Sequence, residues 1–192
     1  MNVLMMWCRS EKDNIIAIGD VIPWDEPEDK QNFINAVEGE ILVMGRRTYE
    51  CMDDEFLRKH KIYIMSSNLD YEVIDLKKHK VISAQKELKD EEGDLFIAGG
   101  KDVYNLFLTG KEALKPHIVV DCVYEGEIDD VSGEIVDVSD SVSVIDKGYR
   151  RITPYYQKGK VKSVILVRKG EFVEQSILRK IVSILENGAN IV

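Results

Sequence analysis

The chain is expected to fold as a single α/β domain, with a mostly parallel central sheet, flanking helices and an antiparallel carboxy-terminal hairpin at one edge. Three features predict this. Apolar runs break at glycine and open straight into helix-compatible sequence at ILVMGRRTYECM and at LFIAGGKDVYNLFL, the alternation of strand, tight turn and helix that builds a parallel sheet. Residues 148–169 instead read as two strands turning near Gln157 to Gly159. A chain of 192 residues, 44% of them hydrophobic, can bury a sizeable core as one domain.

Residues 2–8, NVLMMWC, read as a buried first strand, with Arg9 to Asn14 as its polar exit into a loop. A helix follows over about residues 27–38. Asp25 can cap it, Pro27 is tolerated in its first turn and Glu28 can close a capping box. The next strand ends at Gly45. Lys61 to Met65 makes another, ending at Ser66 and Ser67, and Lys80 to Ser83 a shorter one with a small helix after it. The helix after Gly99 and Gly100 places Val103, Leu106 and Phe107 on one face. His117 to Tyr124 reads as a strand, while the acidic stretch 125–146 resists assignment. From Phe172 to Glu186, Val173, Ile177, Ile181, Ile184 and Leu185 fall at helical spacing, with Gly188 as a stop. Residues 171–192 are thus expected to form an amphipathic extension packed on a domain of residues 1–170, a partner-binding helix being the other reading.

A net charge of -9 disfavours nucleic acid or an anionic membrane as partner. No apolar run reaches membrane-spanning length, and the amino terminus lacks a signal-peptide layout, so a cytoplasmic protein is expected. Cys8, Cys51 and Cys122 form no metal-ligand pair and are odd in number, which suggests free thiols. His60, His79 and His117 stand apart, so no metal site is expected.

Asp29 is the residue most suggestive of chemistry. In the expected helix it shares a face with Phe33, with Ile34 and Val37 nearby, so a carboxylate is held against hydrocarbon. It is either a buried functional acid or a solvated first-turn Asp favoured by the helix dipole. Gly45-Arg46-Arg47-Thr48 and Gly99-Gly100-Lys101 place backbone N–H groups at helix starts, where phosphates are welcome. Arg46 and Arg47 with Ser66 and Ser67 suit a phosphomonoester on a ribose, the feature that tells NADPH from NADH.

In this order, IPWDEPEDKQNF, ILVMGRRTYECM, IYIMSS and FIAGGKDVYNLF resemble dihydrofolate reductase over roughly residues 2–168, some bacteriophage members most of all. The resemblance implies NADPH-dependent reduction of 7,8-dihydrofolate, by hydride transfer to C6 and protonation at N5. Asp29 would be the acid of the pterin pocket, Trp24 would help hold a water beside it, and Ile22 would ride on a loop covering the nicotinamide. Met6, Trp7, Cys8, Phe33, Met52 and Phe56 would pack around the substrate or simply form core. Ala17 and Ile18 would meet the nicotinamide. Gly45, Arg46, Arg47 and Thr48 would meet the phosphates, Ser66 and Ser67 the 2'-phosphate. Ala98, Gly99, Gly100, Lys101, Asp102, Val103 and Tyr104 would cradle the pyrophosphate, with a cis peptide between the two glycines.

Three places depart from the family pattern. Lys101 and Asp102 stand near the place of another phosphate-binding arginine, so preference for NADPH over NADH rests on Arg46, Arg47 and the serines. Where a Thr usually bonds the acid, IVVDCVYEG offers Asp121, or Val120 or Cys122 if the register slips; a second carboxylate beside Asp29 would force one of the two to hold a proton. DDEFLRKHK replaces the proline-rich turn whose arginine clasps the substrate's glutamate tail, leaving Lys59, His60 or Arg58 for that task. Expected partners are dihydrofolate and antifolates, for a monomer or homodimer. A same-fold reductase of the riboflavin pathway, or a non-catalytic member such as a virion component, stands as the alternative.

Overall fold

The computed structural model describes residues 1–111, 114–129 and 131–192. Its strands are β1 (Val3–Ser10), β2 (Ile15–Ile18), β3 (Ile41–Gly45), β4 (Lys61–Met65), β5 (His79–Ile82), β6 (Leu95–Gly99), β7 (Ile118–Tyr124), β8 (Ile135–Asp137), β9 (Tyr149–Arg151), β10 (Tyr156–Lys158), β11 (Val161–Arg168) and β12 (Asn190–Ile191). The helices are α1 (Pro27–Val37), α2 (Arg46–Glu50), α3 (Asp54–Lys59), α4 (Lys101–Thr109), α5 (Ser139–Gly148) and α6 (Gln175–Glu186), with a 3-10 turn at Gln85–Leu88.

Val3 to Trp7 are all buried, and a strand hidden on both faces belongs inside a covered parallel sheet. β1 accordingly pairs in parallel with β6 and β7. The full order is β12-β10-β11-β7-β1-β6-β3-β4-β5, with β9 beside β11. Pairings from β7 to β5 are parallel, and those of β11 with β7, β9 and β10, and of β10 with β12, are antiparallel. The expected architecture, parallel with an antiparallel hairpin edge, is the one observed.

Alternation along β1 divides the core. Leu4 and Met6 face α1 and α6, sharing a cluster with Ala36, Val37, Ile181 and Leu185. Val3, Met5 and Trp7 face α4 and α5, with Val103, Tyr104, Phe107 and Ile145. The chain leaves β1 for β3 and returns later to insert β6 between them, with α1 and α4 on opposite faces. A crevice must open at the carboxyl ends of β1 and β6.

Several local expectations are corrected. Arg9 and Ser10 belong to β1, and the loop after it contains β2, which pairs with the distant β8, Ile18 opposite Ile135, a long-range partner that no local pattern discloses. The unassigned acidic stretch supplies β8 and most of α5, Asp130 lying outside the described residues. The buried face of α4 is Val103, Tyr104, Phe107 and Leu108; Leu106, at the edge of that stripe, is 39% exposed. Helix α1 is preceded by Glu26 rather than Asp25 and has no side-chain cap, so its third residue is Asp29, not Glu28, and no capping box forms. The last helix begins at Gln175, leaving Phe172 83% exposed, and β12 adds an unforeseen edge strand.

Candidate active site

Pro27 starts α1, and Asp29, one turn before Phe33, meets Cys8 near the end of β1. Its Oδ1 is buried and has no hydrogen-bond partner. Burial pushes the carboxyl up to about 6 and Glu26 adds to the rise, while the neighbouring Cys8 thiol works the other way. Asp29 is therefore not the solvated helix-start acid. An unpaired buried acceptor is costly and implies a ligand with donors. Phe33 packs beside it with Phe56 and Phe96, both at 6.1 Å between ring centroids.

Around this acid runs a cleft of about 1760 Å³. Pockets for drug-sized ligands measure roughly 300–1,000 Å³, so this one has room for a dinucleotide beside a second ring system. One end is lined by Met6, Cys8, Trp24, Met52, Phe56, Lys59 and His60, the other by Arg46, Arg47, Thr48, Ser66, Ser67, Lys101 and Asp102.

Between the ends, the two glycine junctions meet. A β-carbon on Gly45 would stand 3.3 Å from Val103 Cγ2, and one on Gly100 3.2 Å from Thr48 Oγ1. Gly99 has φ +105°, and a β-carbon there would lie 2.8 Å from Tyr104 Oη, whose hydroxyl donates to the Met6 carbonyl at 2.9 Å. The Gly99–Gly100 peptide is cis, as the resemblance implied. These positions leave bare backbone and the start of α4 facing the cleft, which suits a pyrophosphate. The residues present thus fit a dinucleotide, which Gly45, Thr48, Gly100, Lys101 and Asp102 would hold.

A small ribbon of β2 and β8 covers that end. Arg47 holds it, donating from Nε to Asp20 at 3.0 Å and reaching Glu134 at 3.4 Å, and Lys101 reaches Asp137 at 3.4 Å. Arg46 contacts Glu50 at 3.4 Å and lies over the Tyr71 ring. Past the ribbon, Val21 bridges back to Ile18, and the exposed Ile22 lines the cleft.

The structure brings nearly all the expected residues to this cleft: Met6, Trp7, Cys8, Ala17, Ile22, Trp24, Phe33, Ala98, Val103 and Tyr104 line it with those already named. Ile18 does not, its side chain lying against Gly133 instead. Gly99 contributes through the backbone turn behind the lining. Asp121 is a correction. It pairs with Trp7 across β1 and β7, and its carboxylate accepts from Trp7 Nε1 at 2.6 Å and from Arg9 Nε at 2.9 Å and Nη2 at 2.8 Å. The neighbour that faces Asp29 from β7 is Cys122, so β7 sets no carboxylate beside the acid. Of the tail candidates, Lys59 and His60 line the cleft while Arg58 turns to the Ile74 carbonyl. Residues missed include Ile16, Gly19, Glu134, Ile135 and Val136, all on or beside the ribbon. Only two short β-branched runs hinted at them.

A family model described as dihydrofolate reductase matches residues 2–127. The dihydrofolate reductase of Enterococcus faecium is 27% identical over 164 residues, covering 81% of this chain and 96% of that protein. That of Lactococcus lactis is 28% identical over 121 residues, covering 61% and 71%. The structure of dihydrofolate reductase from Enterococcus faecalis complexed with NADP(H) and RAB-propyl shares the fold, with a TM-score of 0.65 at 18% identity over 88% of this chain and 96% of that one. With matched sequence over most of its length, this chain belongs to the dihydrofolate reductase family.

Proposed function

We propose that this chain catalyses NADPH-dependent reduction of 7,8-dihydrofolate to 5,6,7,8-tetrahydrofolate, with Asp29 as the acidic residue of the pterin pocket. The observation that carries the reading is the buried, partnerless Oδ1 of Asp29 at the apolar end of a cleft whose other end is a glycine-built phosphate cradle. NADPH, when bound, supplies the hydride.

Asp29 accepts hydrogen bonds from the pterin's ring amide and amino groups, which fixes the ring's rotation in its slot. With its carboxyl pushed up to about 6, it also holds a proton more readily than an ordinary aspartate, which favours proton supply to the substrate side of the cleft. Phe33, Met52 and Phe56 form the slot walls and exclude water, and Trp24 closes it beside the acid. For the glutamate tail, Lys59, now bonded to Glu55 at 2.8 Å, offers the cation, and His60, whose pKa burial lowers, offers a neutral ring donor beside it. Arg46, Arg47, Ser66 and Ser67 serve the 2'-phosphate, Arg47 giving up its acidic partners on the ribbon to do so.

On this reading the partners are small molecules, dihydrofolate and antifolates, bound by a monomer or a homodimer in the cytoplasm. The family match does not favour the pyrimidinone-reductase or virion readings. Titration with methotrexate tests the pocket: its diaminopteridine should bind wild type tightly and Asp29→Asn far more weakly. Equal affinity would remove Asp29 from the site.

A further inference from the structure

Helix α1, which carries Asp29, is poorly finished by its own sequence. Its first turn has no side-chain cap and its last turn has no basic residue. Segments distant in sequence close on it along its length and bond its middle and end. At its start, the hairpin glycine Gly159 (φ +53°) comes so near that a β-carbon there would stand 2.6 Å from Glu26 Oε2. In its middle, Lys158 Nζ donates to Oδ1 of buried Asn32 at 2.9 Å and to the Ile184 carbonyl of α6 at 3.0 Å. At its end, Lys180 of α6 donates to the Glu38 carbonyl at 2.9 Å and to Glu40 at 2.6 Å.

Resting on the assignment of Asp29 to the pterin pocket, we propose that Lys158 and the carboxy-terminal helix α6 brace α1 against the sheet, and that Lys158 is a positioning residue for the Asp29 carboxylate. Asn32 lies one turn beyond Asp29, so a bond that fixes Asn32 fixes the height and rotation of the acid over the end of β1. Apolar packing of Ile181 and Leu185 against Ala36 and Val37 holds the helices together but is tolerant of sliding. Directional bonds from one ammonium to both helices remove that freedom. β10 does not need this lysine for its pairing, which is made by the backbone with β11 and β12. Lys180 answers the unsatisfied carbonyl end of α1, the task a basic residue in its own last turn would have done. The extension 171–192 is thereby a working part of the substrate side of the domain of residues 1–170.

The test uses full-length Lys158→Met and Lys158→Arg, with amide hydrogen exchange on the ligand-free protein and steady-state kinetics. In Lys158→Met, α1 amides around Asp29 to Phe33 should exchange about ten-fold faster while those of α4 stay as in wild type. KM for dihydrofolate should rise roughly five-fold with KM for NADPH little changed, and Lys158→Arg should recover most of the loss. Unchanged α1 protection, or equal rises in both KM values, would overturn the brace. If Lys158→Met does not fold, Lys180→Met removes the other grip and must give the same pattern in weaker form. A wild type with no dihydrofolate turnover would sink the functional reading, while the exchange comparison would still decide the brace.

Discussion

The indole of Trp24 lies stacked on the ring of Tyr124, with centroids 4.8 Å apart and planes 14° from parallel. Tyr124 ends β7 and Trp24 sits between the ribbon turn and α1, so this stack pins the approach to the Asp29 helix onto the sheet. Trp24→Leu should lose about 1 kcal/mol beyond the apolar area it gives up, whereas Tyr124→Phe keeps the stacked ring and should unfold near the wild-type midpoint. Denaturant melts of the two variants check this. Equal midpoints for Trp24→Leu and wild type would mean the stack holds nothing.

A second expectation concerns the acid itself. Its carboxyl is raised from 3.8 to about 6, so between those values the folded chain keeps a proton that the unfolded chain has released. Ionising Asp29 therefore costs stability: the cost is absent below about pH 4, grows toward pH 6 and is constant above. Asp29→Asn should be more stable than wild type near pH 7.5 by about 1–3 kcal/mol, a gap that closes near pH 4. Urea melts at the two pH values would contradict this by showing a constant gap or the reverse sign.

Arg9 and Asp121 make a mostly buried pair, 14% and 13% exposed, on the opposite side of β1 from the Asp29 pocket. Arg9→Met strands a carboxylate there and should cost about 3 kcal/mol or more, while KM for dihydrofolate stays near wild type in the folded fraction. A specific rise in that KM would return Asp121 to the pocket.

At the glycine corner, Gly99→Ala combines a positive φ with a β-carbon driven into the Tyr104 hydroxyl, and so breaks that residue's bond to the Met6 carbonyl. Gly45→Ala asks only that Val103 yield by a few tenths of an ångström. NADPH affinity by fluorescence titration should fall at least about ten-fold for Gly99→Ala and clearly less for Gly45→Ala. The opposite ranking would place the dinucleotide elsewhere.

Much of this was legible in the sequence because it is written locally. Strands such as Ile41–Gly45 and Leu95–Gly99 end in glycine at the place where the backbone must bend into a helix, and Asp29 and Phe33 are one turn apart by simple helical count. What stayed hidden depends on partners far along the chain. β2 and β8 are each too short to declare themselves, and Asp121 could be placed only once its register against Trp7 was known, since one residue of slip exchanges it with Cys122. The same holds for Lys158, whose bonds join three segments that sequence spacing leaves unrelated.

The central claim is tested most directly by NADPH oxidation with dihydrofolate, measured side by side for wild type and Asp29→Asn. Wild type should turn over, and the variant should lose about 100-fold or more in kcat/KM while remaining folded. Equal rates in the two proteins would contradict the account.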